Sequence, residues 1–254
     1  MKLRVLGCSG AEFPNMRPPA FLIDETLLMD AGTIGAVLSE DEQWMIREII
    51  LTHAHLDHIR GIPFLADNII VKNMDHCVRI LSTKSVLGVL KNNLLNDMVW
   101  PDFTVIPNKA RPVLTLEEIT EGVEFTINGY RICAYPVNHS VPAVGYRVLD
   151  SKGCRLLYTG DTGPTTALWS ETANKVDAAI IEVSMPNSMR EMAILTGHLT
   201  AELLGDEIKK MKRVPERILI THPKPQYLQT IHDEIRALGM DNIQMLIDGE
   251  VIEI

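Results

Sequence analysis

The sequence predicts an α+β protein in which two β-sheets are covered by helices, and three observations predict it. Strand-like and helix-like segments mix along the chain, with strand meanders in each half. The 254 residues, 46% of them hydrophobic, are enough for one large core. Polar residues suited to chemistry recur where apolar strands stop, at His53, Asp161, Glu182 and His222. Side chains held at strand ends converge on one edge of such a sandwich. With no internal repeat, linker or low-complexity tract, residues 1–254 are expected to form a single domain.

The elements follow in order. Strands crowd the first third, at 3–6, 20–23, 27–29 and 48–51, the last within the buried-looking run Arg47-Glu48-Ile49-Ile50-Leu51. Helical spacing is expected at 62–66 and 84–95, with a strand between them at 78–81. Residues 96–122 are Pro-rich and weakly patterned, and read as a surface excursion walling one side of a cleft. Strands return at 123–127, 130–135, 144–149 and 155–158, followed by a helix at 165–172 and a strand at 178–183. A long amphipathic helix at 200–212, a strand at 218–221, a helix at 225–238 and β pieces within 244–254 complete the chain.

Composition removes several function classes. No apolar run reaches membrane-spanning length, and residues 1–20 lack a signal-peptide pattern, so a cytoplasmic protein without a membrane partner is expected. The formal net charge of -9 argues against a broad polyanion-binding surface, though not against a small phosphate ester. Cys8, Cys77, Cys133 and Cys154 form no C-x-x-C pair and read as reduced, partly buried thiols. His76 and His232 have no partners in motif context and read as surface residues, and Lys209, Lys210, Lys212 and Arg213 as a solvated helix face.

The most informative stretch is Thr52-His53-Ala54-His55-Leu56-Asp57-His58, directly after a strand. Alternation along extended backbone turns His53 and His55 to one side, and a following turn carries Asp57 and His58 toward a second metal. Imidazoles and a carboxylate suit zinc, manganese or iron. One loop cannot complete two shells. Asn138-His139-Ser140, Gly160-Asp161 and Thr221-His222 each put a polar ligand on a turn after an apolar strand. Singly, each reads as a capping aspartate or a satisfied histidine. Together with the first motif, His53, His55, Asp57, His58, His139, Asp161 and His222 form one ligand set.

H-x-H-x-D-H, a lone downstream His, a Gly-Asp and a late Thr-His resemble the metallo-β-lactamase superfamily along the whole chain. The resemblance implies a four-layer αβ/βα sandwich, the metallo-β-lactamase fold. It implies two divalent ions, zinc first and manganese or iron as the alternatives. His53, His55 and His139 would hold one, Asp57, His58 and His222 the other, and Asp161 would bridge both. The segment from His53 to Ala66 is similar to the signature of class II 3′,5′-cyclic-nucleotide phosphodiesterases, although Phe64 and Leu65 fall where that signature usually carries a serine. The tRNA 3′-processing endonucleases (tRNase Z) look similar too. They share a His-x-Thr motif at a helix start paired with an upstream Glu, here His198-Leu199-Thr200 and Glu182. By that resemblance His198 donates the proton to the leaving oxygen and Glu182 holds its imidazole, with Asp57 counted among the catalytic groups. The physics agrees: a helix N-terminus favours a phosphate, and a carboxylate partner keeps a histidine a proton donor near neutrality.

These readings imply hydrolysis of cyclic AMP or cyclic GMP to the 5′-monophosphate by a hydroxide shared between two metals, with general-acid help from His198. Gly7-Cys8-Ser9-Gly10 and the Pro-rich run behind it resemble the N-terminal loop of both phosphodiesterase groups. They read as a structural turn or as a substrate-side rim carrying Arg17; the Gly-Lys-Ser/Thr ending of a P-loop is missing. Ser140 and Lys224 are further candidate substrate contacts. The first alternative is a tRNA 3′-endonuclease. Those enzymes usually carry a long arm between the third His and the bridging Asp, where this chain has only 21 intervening residues, and the acidic balance disfavours a stable nucleic-acid complex. The second is an iron-dependent oxidoreductase such as a persulfide dioxygenase, against which the complete second-metal set weighs. A homodimer is expected by resemblance alone.

Overall fold

Two seven-stranded sheets face each other across a common core, and helices cover both outer faces. The computed structural model describes residues 1–72 and 75–254. The chain begins with β1 (Lys2–Gly7), β2 (Ala20–Ile23), β3 (Leu27–Met29), α1 (Glu40–Gln43) and β4 (Glu48–Ile50). α2 (Leu56–Ile59), α3 (Gly61–Lys72), β5 (Val78–Ser82) and α4 (Lys84–Val89) follow, and a π-helical turn (Leu90–Leu94) extends α4. A small hairpin of β6 (Pro107–Asn108) and β7 (Arg111–Pro112) leads into β8 (Leu114–Glu118). The second half supplies β9 (Phe125–Ile127), β10 (Tyr130–Pro136), β11 (Val144–Leu149), β12 (Arg155–Tyr158) and β13 (Ala178–Glu182). It continues through α5 (Arg190–Thr196), α6 (Ala201–Lys210), β14 (Ile218–Thr221), α7 (Leu228–Ala237), β15 (Ile243–Met245) and β16 (Val251–Glu253).

The first sheet runs β16-β1-β2-β3-β4-β5-β8 and the second β15-β14-β13-β12-β11-β10-β9. In each, an antiparallel meander passes into parallel strands: β3, β4, β5 and β8 in the first, β12 to β15 in the second. Period-two alternation sorts the side chains into three cores. Leu3, Val5, Phe21, Met29, Tyr146, Tyr158 and Ile180 meet between the sheets. Leu22, Leu28 and Ile49 point the other way, onto Ile62, Leu65 and Ile69 of α3. Leu157, Ile181 and Ile220 pack on Leu203, Leu204 and Ile208 of α6 and on Ile231 of α7. The layer order is therefore helix, sheet, sheet, helix.

The structure corrects three expectations. Residues 96–122 are more than a surface excursion, because β8 pairs in parallel with β5 from Val78↔Leu114 to Ser82↔Glu118. As an edge strand with only Leu114 buried, it offers little alternation to read. His76 is buried, not superficial: its ring bonds to Arg47 Nη1 (3.0 Å) and to the Ile46 carbonyl (2.8 Å). The helix expected at 165–172 is a run of 3-10 turns, Leu168–Ala173.

Candidate metal centre

The strand ends deliver the polar residues, His139 from the antiparallel β10 and the others from strands with a parallel neighbour. Past β4 the backbone bends at Thr52 and runs on through His53 to His55, which stands at the N-cap of α2 with φ -67° and ψ 148°. This keeps His53 and His55 on one side, their ring centroids 4.7 Å apart, while Asp57 and His58 turn away in the first turn of α2. His139, on the loop after β10, lies 4.8 Å from His53 and 4.9 Å from His55, centroid to centroid. Asp161 follows β12 and His222 follows β14. His222 has φ +67°, and its N–H donates to the Cys8 carbonyl at 2.6 Å. A positive φ at a non-glycine residue is a strained conformation, held here by that hydrogen bond.

Among the described residues, ligand-capable atoms within 4.8 Å of one another form three groups. One is His53, His55, His139 and Asp161, another Asp57, His58 and His222, and a third Asp161, His198 and His222. The Asp161 carboxylate lies among them, 3.7 Å from His53 Nε2 and 3.3 Å from both His58 Nε2 and His222 Nε2. His53 Nε2 and His58 Nε2 are buried and, among the described residues, make no hydrogen bond. Orphaned buried nitrogens are costly unless something binds them, and imidazole nitrogens facing a shared carboxylate form a donor set for a divalent cation. The residues present fit such an ion.

Their remote nitrogens are anchored. Asp30, fully buried at the end of β3, accepts from His58 Nδ1 (2.8 Å), Tyr158 Oη (2.7 Å) and Thr52 Oγ1 (2.8 Å). Thr52 Oγ1 in turn lies 3.0 Å from His53 Nδ1. His139 Nδ1 donates to the Gly197 carbonyl at 2.8 Å. Such contacts fix which nitrogen carries the proton and leave the other with its lone pair turned inward. Gly197 stands at φ +72°, and a Cβ there would come within 2.7 Å of His139 Cα, so a side chain is excluded on both counts.

Electrostatics follow burial and charge. Burial pushes His53 well below the ordinary imidazole value and lowers His55 and His139 too, which leaves them neutral donors. Burial would raise Asp161, but His222, His58 and His53 hold it well below the usual carboxylate range. Burial lowers His58, yet the Asp161 and Asp30 carboxylates raise it overall.

His198 and Glu182 meet beside this cluster. His198 Nδ1 donates to Glu182 Oε1 at 2.7 Å, and its ring stacks on His222 with 5.5 Å between centroids. Burial opposes its charge, but the Glu182 carboxylate wins and raises its pKa. Lys224 directs Nζ to the Gly10 carbonyl at 2.6 Å. Arg17 is tied by its backbone N–H to Asp248 (2.9 Å), and among the described residues its guanidinium has no partner. Ser140 is exposed, next to His139. These three lie on separate loops, and among the described residues only Lys224 is engaged through its side chain.

Sequence reasoning missed Asp30, Ser184 and Gly10. A polar residue after an apolar strand was the available signal for the first two: Asp30 follows Leu27-Leu28-Met29, and Ser184 stands two places after Glu182. Gly10 was read only as part of the Gly7–Gly10 loop; its contact with His222, where a Cβ would fall 2.5 Å from the His222 carbonyl oxygen and 2.8 Å from Nδ1, has no sequence signal.

Comparison with known proteins bears on this centre. The family model for the beta-lactamase superfamily domain matches residues 36–222, a span holding all seven clustered residues. The probable 3′,5′-cyclic-nucleotide phosphodiesterase of Yersinia pestis is 27% identical over 223 residues, covering 78% of this chain. This chain spans only 62% of that relative's length. Ribonuclease BN of Erwinia tasmaniensis is 25% identical, covering 76% of this chain and 75% of its own. Among solved structures, unliganded yeast PDE1 superposes with a TM-score of 0.83 at 17% identity, covering 98% of each chain. Human tRNase Z, short form, superposes at 0.73 with 18% identity, covering 100% of this chain and 99% of its own. With two facing sheets, outer helices and a histidine–aspartate cluster at the strand ends, all within the span of the family match, the chain belongs to the β-lactamase superfamily and has the metallo-β-lactamase fold.

Proposed function

We propose that this protein is a phosphodiesterase that uses two divalent metal ions to hydrolyse 3′,5′-cyclic nucleotides to 5′-monophosphates. The observation that carries the reading is the position of Asp161, clustered with His53, His55 and His139 and also 3.3 Å from His58 Nε2 and from His222 Nε2, with the His198–Glu182 pair packed alongside. His53, His55 and His139 would hold one ion, Asp57, His58 and His222 the other, and Asp161 both. When bound, two such ions supply Lewis-acid neutralisation of phosphoryl charge and a nucleophile drawn from water at neutral pH. The chain's own residues do the rest. His198, oriented by Glu182 through Nδ1, has no hydrogen bond at Nε2 among the described residues and would present that proton to the ribose oxygen as the phosphorus–oxygen bond breaks. Arg17, Ser140 and Lys224 are the proposed phosphate or sugar contacts. Zinc is the favoured ion, with manganese or iron as the alternatives.

Two features favour a small substrate over tRNA. The interval from His139 to Asp161 is filled by the β11–β12 hairpin, which leaves no arm there to grip a large RNA. The formal charge of -9 gives little support to the many phosphate contacts such a complex needs. No helix among the described residues is long and apolar enough to cross a membrane.

Metal-loaded protein assayed in parallel on cyclic AMP, cyclic GMP, bis(p-nitrophenyl) phosphate and pre-tRNA tests the reading. Turnover of a cyclic nucleotide is expected. His198→Ala should retain both ions and lose about 10²- to 10⁴-fold in rate, whereas Asp161→Ala should lose metal. Rapid trimming of pre-tRNA with no cyclic-nucleotide turnover would overturn the substrate assignment, and a fully active His198→Ala would overturn the proton donor.

A further inference from the structure

Ser184 is fully buried, and its hydroxyl lies at the centre of three side chains. Oγ donates to Glu182 Oε2 at 2.7 Å and lies 2.8 Å from His222 Nδ1 and 3.2 Å from His198 Nδ1. A serine hydroxyl has one proton, and a carboxylate accepts only. With that proton committed to Glu182, Oγ accepts from His222 Nδ1–H. The proton on Nδ1 leaves the lone pair of a neutral imidazole on Nε2, which faces Asp57 Oδ2 at 3.4 Å and Asp161 Oδ2 at 3.3 Å. Burial is complete, so solvent cannot take over the role of the hydroxyl.

The same arrangement occurs once more, on the first sheet. Asp30 accepts directly from His58 Nδ1 and also from Thr52 Oγ1, whose oxygen is 3.0 Å from His53 Nδ1. Glu182 likewise accepts directly from His198 Nδ1 and also from Ser184 Oγ, whose oxygen faces His222 Nδ1. Each sheet thus contributes one buried carboxylate that holds one histidine itself and a second through a hydroxyl. Glu182 has further anchors in the backbone N–H groups of Thr162 (3.0 Å) and Leu199 (3.3 Å), so its grip on His198 does not depend on Ser184.

We propose that Ser184 is the positioning residue for His222, fixing its Nδ1–H tautomer through a relay to Glu182 so that Nε2 is presented to the ion shared with Asp57 and His58. The assignment rests on the two-ion reading above, and it makes Glu182 a common support for the proton donor and for one metal shell. Outer contacts of this kind are worth about 10- to 100-fold in metal affinity.

The test is ion uptake by the chelator-stripped full chain, titrated with zinc and with cobalt(II) and followed by competition with a chromophoric chelator and by cobalt absorption. The parent should take up two ions. Ser184→Ala should bind the first as the parent does and the second about 10- to 100-fold more weakly, while Ser184→Thr, which keeps the hydroxyl, should restore the second site. Unchanged affinity for both ions in Ser184→Ala would overturn the assignment. So would an equal loss at both sites, or Ser184→Thr behaving like Ser184→Ala, since either marks a packing role. A parent that takes up a single ion would overturn the two-ion reading and the Ser184 assignment with it, a result read before any variant is compared.

Discussion

At the scale of single residues, the space beside His222 is as selective as the bonds to it. Gly10 abuts the His222 ring and carbonyl so closely that an added methyl would sit 2.5 Å from backbone, which cannot give way as a flexible side chain would. Gly10→Ala should therefore displace His222 and weaken the ion held with Asp57 and His58 about tenfold or more, leaving the His53, His55 and His139 group intact. Ion titration checks this, and parental uptake at both sites would show that the loop simply moves aside. The candidate ligands were legible because four occur within six positions, a density that packing alone does not produce. Asp30 and Ser184 were not. A lone aspartate or serine after a strand is ordinary turn chemistry, and only the hydrogen bonds to His58 and His222 distinguish these two.

At the scale of elements, the position of His198 depends on how α6 begins. Thr200 is its N-cap, buried, with its side chain accepting from the Leu203 N–H at 3.3 Å. The cap fixes the turn in which His198 reaches Glu182. Thr200→Ala should cost about 1 kcal/mol, read as a lower urea midpoint with an unchanged slope. An unaltered midpoint would mean that packing of Leu203 and Leu204 alone sets the start of the helix. The amphipathic helix and most strands were readable from alternation and apolar runs. β8 was not, since an edge strand leading from a Pro-rich segment shows few buried positions. α5 also went unseen: Met192, Ile194 and Leu195 leave it exposed, so its seven residues lack the polar face that marks a surface helix.

At the scale of the whole molecule, the cluster joins the two sheets. His53, His55, Asp57 and His58 come from the first, and His139, Asp161 and His222 from the second. Ions held there would cross-brace the sandwich. An ion that binds only the folded state adds about 2.7 kcal/mol at a free concentration one hundred times its Kd. For a chain of this size that is about 5 to 11 °C in Tm, at 2 to 4 °C per kcal/mol. Stripping with a chelator should lower the calorimetric midpoint by that amount and re-addition of zinc or manganese should restore it, whereas an unmoved midpoint would remove the bracing role. Topology of this kind was open to inference only in outline, because alternating runs show which segments are strands but not which neighbours they pair with. The spread of the donor groups from position 53 to 222 has a further effect during synthesis. The ribosome must release everything up to His222 before the second set of donors can assemble. A nascent fragment stopped short of that point lacks His222, one of the proposed donors, and also β16, the partner of β1, so prematurely terminated products should be chemically silent and not partly active.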